Sequence, residues 1–177
     1  RRVEDSVVAF RAVLLAQPDY RPALHQLGVT LRRLGRVAEA EAVLRTALER
    51  HPDAPEIMIA LSETLADWNR IDEAIEITES AIALMPGDAV PLTLLATLQT
   101  RRGEKMLARA ALEAAAAART PFAPALTLLG QIQRQEGDIA GSLRTLDRAV
   151  DCAPPGPEAA QAHVQHAITP LCDGQIA

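Results

Sequence analysis

Aromatic side chains are scarce in this chain of 177 residues: Phe10, Tyr20, Trp68 and Phe122 are the whole set. A core without them has to be built from Leu, Ile, Val and Ala, and Ala-rich helices that approach closely suit all-α packing. Lysine is scarcer still. Lys105 stands alone among 18 basic residues, the others being Arg, a bias that reads as the codon usage of a GC-rich, bacterial genome. No apolar run approaches the ~18 residues that would span a bilayer, so membrane insertion is not expected. A net charge of −5 supplies no attraction for nucleic acid or for an anionic membrane surface. Two cysteines, Cys152 and Cys172, are too few for a disulfide framework, and two reduced thiols are expected. The sequence has neither an initiator Met nor a signal peptide, so the natural N-terminus is expected upstream of Arg1. The compartment stays open, with the cytoplasm favoured over the periplasm.

Catalytic signatures are missing as well. The glycines are isolated, with no Gly-rich loop ending in Lys-Ser/Thr to cradle a phosphate. Acidic residues are spread along the chain without the sign of a buried pair tuned for acid–base work. His163 and His166 stand three apart, with Cys172 six further on. A lone His-x-x-His is weak evidence for a metal site, so an ordinary histidine pair is expected, and no enzyme activity, metal or cofactor is assigned.

What is present is a period. Leu27, Leu61, Leu95 and Leu129 lie 34 residues apart, as do Ala47, Ala81, Ala115 and Ala149. Pro18, Pro52 and Pro86 keep the same step, and so do the turn residues Gly35, Asn69, Gly103 and Gly137. Such periodicity marks an array of near-identical units. Within Arg21–Ala54, Leu24, Leu27, Gly28 and Leu31 form one helical stripe. Gly35 supplies a left-handed stop, and a second helix carries Val37, Ala40, Leu44 and Ala47 as far as Pro52, which cannot continue it. Asn69 is the next-best residue for the same left-handed turn. The small residues Gly28, Ser62, Ala96 and Gly130, with Ala40, Ala74, Ala108 and Ser142, are expected where the two helices of a unit touch.

These units resemble tetratricopeptide (TPR) repeats, most closely in Leu27-Gly28, Gly35, Ala40, Leu44, Ala47 and Pro52. The family's early Trp is replaced by Leu24, Met58, Leu92 and Leu126, and its later Tyr by Leu31, Leu65, Gln99 and Gln133. Thr120 stands in place of a terminal proline, which predicts a local irregularity there. The resemblance implies an all-α, right-handed superhelical solenoid of antiparallel helix pairs. Its expected parts are the second helix of a leading repeat (1–20), repeats at 21–54, 55–88, 89–122 and 123–156, a capping helix (157–169) and a tail or linker (170–177). Ala160, Val164 and Ala167 are expected to face inward from the capping helix. On the leading helix, Val3, Val7, Phe10 and Leu14 form an apolar face with no helix before it. Either upstream sequence covers that face, or it is an oligomer contact between copies of the chain.

In such a solenoid the first helix of each unit lines a concave groove. Carried along the chain by the same step, the groove positions are His25, Val29, Arg32 and Arg33, then Glu56, Ile59, Glu63, Ala66 and Asp67. They continue with Val90, Thr93, Thr97, Thr100 and Arg101, and with Thr127, Gln131, Arg134 and Gln135, Gln161 and Gln165 being added by the capping helix. The mixed lining suits a peptide or helical segment of a protein partner better than a small metabolite. Arg32, Arg33, Arg101 and Arg134 are candidates to grip carboxylates, although pairing of Arg32 or Arg33 with Glu63 or Asp67 is the plainer expectation. The lysine- and asparagine-based clamp by which some TPR proteins bind chaperone tails is excluded, because Lys105 and Asn69 are the sole residues of their kinds and lie outside the groove helices. Trp68 is expected to pack on Ile71 and the turn, with a binding hot spot as the alternative. The expected function is therefore a non-enzymatic interaction scaffold. The alternatives are the recruiting arm of a larger enzyme or secretion machine, and a self-associating module.

Overall fold

The computed structural model describes residues 2–153 and 156–169, all of its regular structure being helical. The chain forms two compact units, residues 1–86 and 87–177. The first holds α1 (Arg2–Ala16), α2 (Arg21–Arg33), α3 (Val37–Arg50), α4 (Pro55–Asp67) and α5 (Ile71–Leu84). The second holds α6 (Ala89–Arg102), α7 (Lys105–Ala116), α8 (Ala123–Gln135), α9 (Ile139–Cys152) and α10 (Pro157–Ile168).

The turn inside each helix pair is built the same way four times. Gly35, Asn69, Gly103 and Gly137 have φ of 73°, 61°, 87° and 86°, the left-handed region that favours Gly and tolerates Asn. The next residue then donates its N–H back to a carbonyl five positions earlier: Arg36 to Leu31 at 3.0 Å, Arg70 to Leu65 at 3.0 Å, Glu104 to Gln99 at 2.8 Å and Asp138 to Gln133 at 2.9 Å. These bonds satisfy carbonyls that a helix end would leave orphaned. Starts are marked differently. Pro sits in the first turn of α2, α4, α8 and α10, where its missing N–H costs nothing. Asp88 and Asp138 cap α6 and α9 by accepting from the N–H of Val90 and Gly141, a bond worth about 1 kcal/mol.

The helices of a pair meet at the small residues. A Cβ added to Gly28 would lie 2.5 Å from Leu44 Cγ, and one added to Gly130 would lie 2.7 Å from Leu146 Cγ. In the α4–α5 pair the facing residues are Ser62 and Thr78. Their hydroxyls lie 2.6 Å apart, and both reach the carbonyl of Ala74, at 2.8 and 2.7 Å, so two hydroxyl protons serve three contacts. In the α8–α9 pair, Ser142 Oγ donates to the carbonyl of Gly130 at 2.7 Å. Ala40, Ala74, Ala108 and Ser142 are all fully buried.

Two expectations need revision. Val7 is buried, and with half-buried Phe10 and Leu14 it packs on Leu27, Leu31 and Ala40. That stripe is therefore covered by α2 and α3 and is not an open face. The large apolar residues that α1 leaves exposed are Val3, Val8, Val13 and Leu15. On α10 Ala162 is buried and packs with Leu126 and Ala149, whereas Val164, Ala160 and Ala167 are exposed. The stripe read as inward is the one a first helix lays on its own second helix, and no described helix follows α10. The irregularity near Thr120 takes the form of an early stop: α7 is 12 residues long against 14 for α3, α5 and α9, and ends at Ala116. The predicted tail, residues 170–177 with Cys172, lies outside the described residues, as do Pro154 and Pro155.

Candidate functional site

The first helices of the two units carry different chemistry. In the first unit, α2 and α4 are joined by ion pairs. The Arg32 guanidinium donates to Glu63 at 2.6 Å and to Asp67 at 3.2 Å, and Arg21 lies 3.1 Å from Glu56. Three of the expected groove groups, Arg32, Glu63 and Asp67, thus satisfy one another. Arg33 is exposed, while His25, Val29 and Ile59 are half-buried and Ala66 is buried.

Ion pairs also organise the outer helices of this unit at the repeat step. Glu39 accepts from Arg36 twice at 2.7 Å and from Arg11 at 2.8 Å. Glu73, 34 residues on, accepts from Arg70 at 2.5 and 2.6 Å and from Arg45 at 3.3 Å. Arg70 also reaches Glu41 at 2.7 Å. Hydrogen bonds from Arg36 and Arg70 hold the Glu39 and Glu73 carboxyls below their ordinary value, against a smaller opposing effect of desolvation. Hydrogen bonding to Glu73 pushes the Arg70 guanidinium up.

In the second unit α6 and α8 contain no Asp or Glu at all. Between them lies a slot of about 220 Å³. Thr97, Thr100, Arg101, Gln131 and Gln135 supply its polar lining, and Ala96, Leu112, Leu128 and Ile132 its apolar one. Thr97 and Thr100 donate their hydroxyl protons to the carbonyls of Thr93 and Ala96 at 2.9 and 2.8 Å, so toward a neighbour these oxygens are acceptors. The expected groove residues Thr97, Arg101 and Gln131 therefore converge on one feature. Val90 is exposed at the start of α6, and Arg134 is half-buried. Thr93 and Thr127 do not line a surface. They are 8% and 3% exposed, and their hydroxyls are spent on the carbonyls of Ala89 and Ala123. The reading by fixed steps missed Leu128 and Ile132, because a slot between two first helices is lined by residues facing the neighbouring unit as well as those facing outward.

Trp68 sits at the C-terminal end of α4 and is 47% exposed. Among the described residues no group of three His, Cys, Asp or Glu is placed to hold a metal ion. His163 is exposed, and His166 Nε2 lies 2.9 Å from Asp147 Oδ1. Cys152 is a free thiol, pushed up from its ordinary pKa by burial. No described helix is long and apolar enough to cross a membrane.

Models of the tetratricopeptide repeat match residues 1–62, 31–98 and 93–157. No curated protein sequence matches the chain. Among solved structures, TTC0263, a thermophilic TPR protein of Thermus thermophilus, superposes with a TM-score of 0.79 at 22% identity, over 96% of this chain and 91% of that one. MamA gives a TM-score of 0.67 at 22% identity, over 82% of this chain and 85% of that one. YrrB, described as a TPR protein with an unusual peptide-binding site, gives 0.65 at 17% identity, over 95% and 85%.

Proposed function

Because the chain belongs to the tetratricopeptide repeat family, we propose that it is a non-enzymatic scaffold whose first helices bind a peptide or helical segment of a partner protein. The observation that carries this reading is the slot between α6 and α8, where an apolar floor is ringed by hydroxyl, amide and guanidinium groups. At about 220 Å³ it is smaller than the ~300–1,000 Å³ of sites that enclose a metabolite. A shared fold with YrrB, whose structure is described by its peptide-binding site, supports the same class of ligand. Exposed Arg33 and Trp68 belong to the proposed first-helix surface of the other unit.

The test is a selection from a displayed peptide library on the full chain, followed by photo-crosslinking of the selected peptides. A crosslinker placed at Thr97, on a first helix, is expected to capture them, and one at the exposed Ala110, on a second helix, is not. Capture from Ala110 alone, or no selectable peptide, overturns the reading. Combined Arg101→Glu and Arg134→Glu changes are expected to abolish capture at unchanged helicity.

A further inference from the structure

We propose that α1 joins two copies of the chain, its outward stripe of Val8 and Leu15 packing antiparallel against the same stripe of a second copy. The contact is separate from the first-helix surface proposed above and stands or falls without it.

The 34-residue step separates two kinds of exposure on α1. Val13 stands at the register of Ala47, Ala81, Ala115 and Ala149, all of them fully buried. That side of a second helix is one that helices of the array cover. Val8 and Leu15 belong to the other kind, at 69% and 87% exposed. Their equivalents in α3, α5, α7 and α9 fall at positions 42 and 49, 76 and 83, 110 and 117, and 144 and 151. All eight are exposed, and each is Ala or a charged residue. A further repeat packed on α1 would therefore leave Val8 and Leu15 in water, and their cover has to come from outside the array.

Seven residues apart, the two share one helix face, with Ala12 between them. Beside this stripe runs a groove of about 350 Å³ between α1 and α3, lined in part by Leu14, Pro18, Ala42, Val43 and Thr46. With Val7, Phe10 and Leu14 packed inward, α1 is apolar on opposite sides, the pattern of a helix buried all round.

Charge names the occupant and sets its direction. The first turn of α1 carries Glu4 and Asp5, both exposed, and Glu4 also lies in the field of Arg36 of its own chain. Beyond the other end of α1, Arg50 lines the groove. It donates to the carbonyl of Pro18 at 2.7 Å and to Asp19 at 2.8 Å. Both bonds leave from Nη1, so Nε and Nη2 keep their donors for a further carboxylate. Turned antiparallel on itself, the stripe sets Val8 against Leu15 of the second copy, and the acidic first turn against Arg50 of the second copy. A parallel arrangement would set acid against acid. A two-fold axis makes each contact twice, so one kind of chain supplies both halves of the interface.

The test is sedimentation equilibrium of the full chain over a range of concentrations, in which a dimer is expected. Leu15→Ala is expected to raise its dissociation constant about a hundredfold, tenfold for each copy of the contact. Val13→Glu, on the side that the array covers, is expected to leave it unchanged. Glu4→Arg with Asp5→Arg in one chain, and Arg50→Glu in another, are each expected to weaken the homodimer. Mixing those two variants is expected to restore a dimer, because acid and guanidinium then face each other again between unlike chains, a rescue that a misfolded variant could not give.

A chain that stays monomeric throughout overturns the proposal and leaves Val8 and Leu15 to a different protein. A dimer indifferent to Leu15→Ala, or a mixture no tighter than its components, overturns it as well.

Discussion

Gln99 occupies the place that Leu31 and Leu65 hold in the two preceding units, and like them it is buried, at 7% against 0%. Its Oε1 has no hydrogen-bond partner, and an unsatisfied buried amide costs about 1–3 kcal/mol. Gln99→Leu is therefore expected to raise the melting temperature, as a thermal melt of the variant would show. Ala74→Leu is expected to do the reverse. Ala74 is fully buried, and its carbonyl lies within hydrogen-bond reach of both Ser62 and Thr78, so overpacking there should cost about 1–3 kcal/mol in a denaturant titration. Positions such as Ala74 were legible in the sequence, because a small residue recurring at a fixed step marks a close helix contact that recurs with it. The burial of Thr93 and Thr127 was not. A threonine on a helix reads as polar until its hydroxyl is seen bonded to its own backbone, which lets it pack as an apolar residue.

At the scale of helices, sequence reasoning succeeded where a backbone requirement forces one residue type, as at Gly35 and Asn69. It failed at both ends of the array. For α1 and α10 the stripe that turns inward depends on which neighbouring helix is present, and the period cannot supply that. The ion pairs that tie α1 to α3 and α3 to α5 belong to this scale too. Glu39 and Glu73 have carboxyls held below their ordinary value of 4.5 by Arg36 and Arg70. A carboxyl lowered in the folded state stabilises the fold at neutral pH, and this contribution is lost as pH falls through its folded value. Melting temperature is accordingly expected to drop on acidification below pH 4.5. In a Glu39→Gln, Glu73→Gln double variant it should start lower at pH 7 and fall less steeply. Both pairs are solvated, so the effect is modest and should shrink in high salt.

Over the whole chain the repeats are alike in step but not in charge. The acid-free helices of the second unit could be found by reading α6 and α8 in the sequence. That Arg32 is consumed by Glu63 and Asp67 needed distances. The division at Pro86–Gly87 was not foreseen, since the period is the same on either side of it. Repeat arrays draw their stability from units and their nearest neighbours. Residues 87–177 made alone are therefore expected to remain helical by circular dichroism and to keep the peptide capture proposed for the first helices. A random-coil spectrum from that fragment would show that its fold depends on the first unit.

The contact inside each helix pair bears on how such a chain can be rebuilt. Gly28 faces Leu44, and Gly130 faces Leu146, while Ser62 faces Thr78. A chimera that put α4 before α3 would set a serine against a leucine, with a hydroxyl stripped of its partner and too little room. The segment that can be duplicated, shuffled or grafted is thus the matched hairpin, its two helices inherited as a pair, and a cut through the Gly35 or Asn69 turn separates residues that only fit each other.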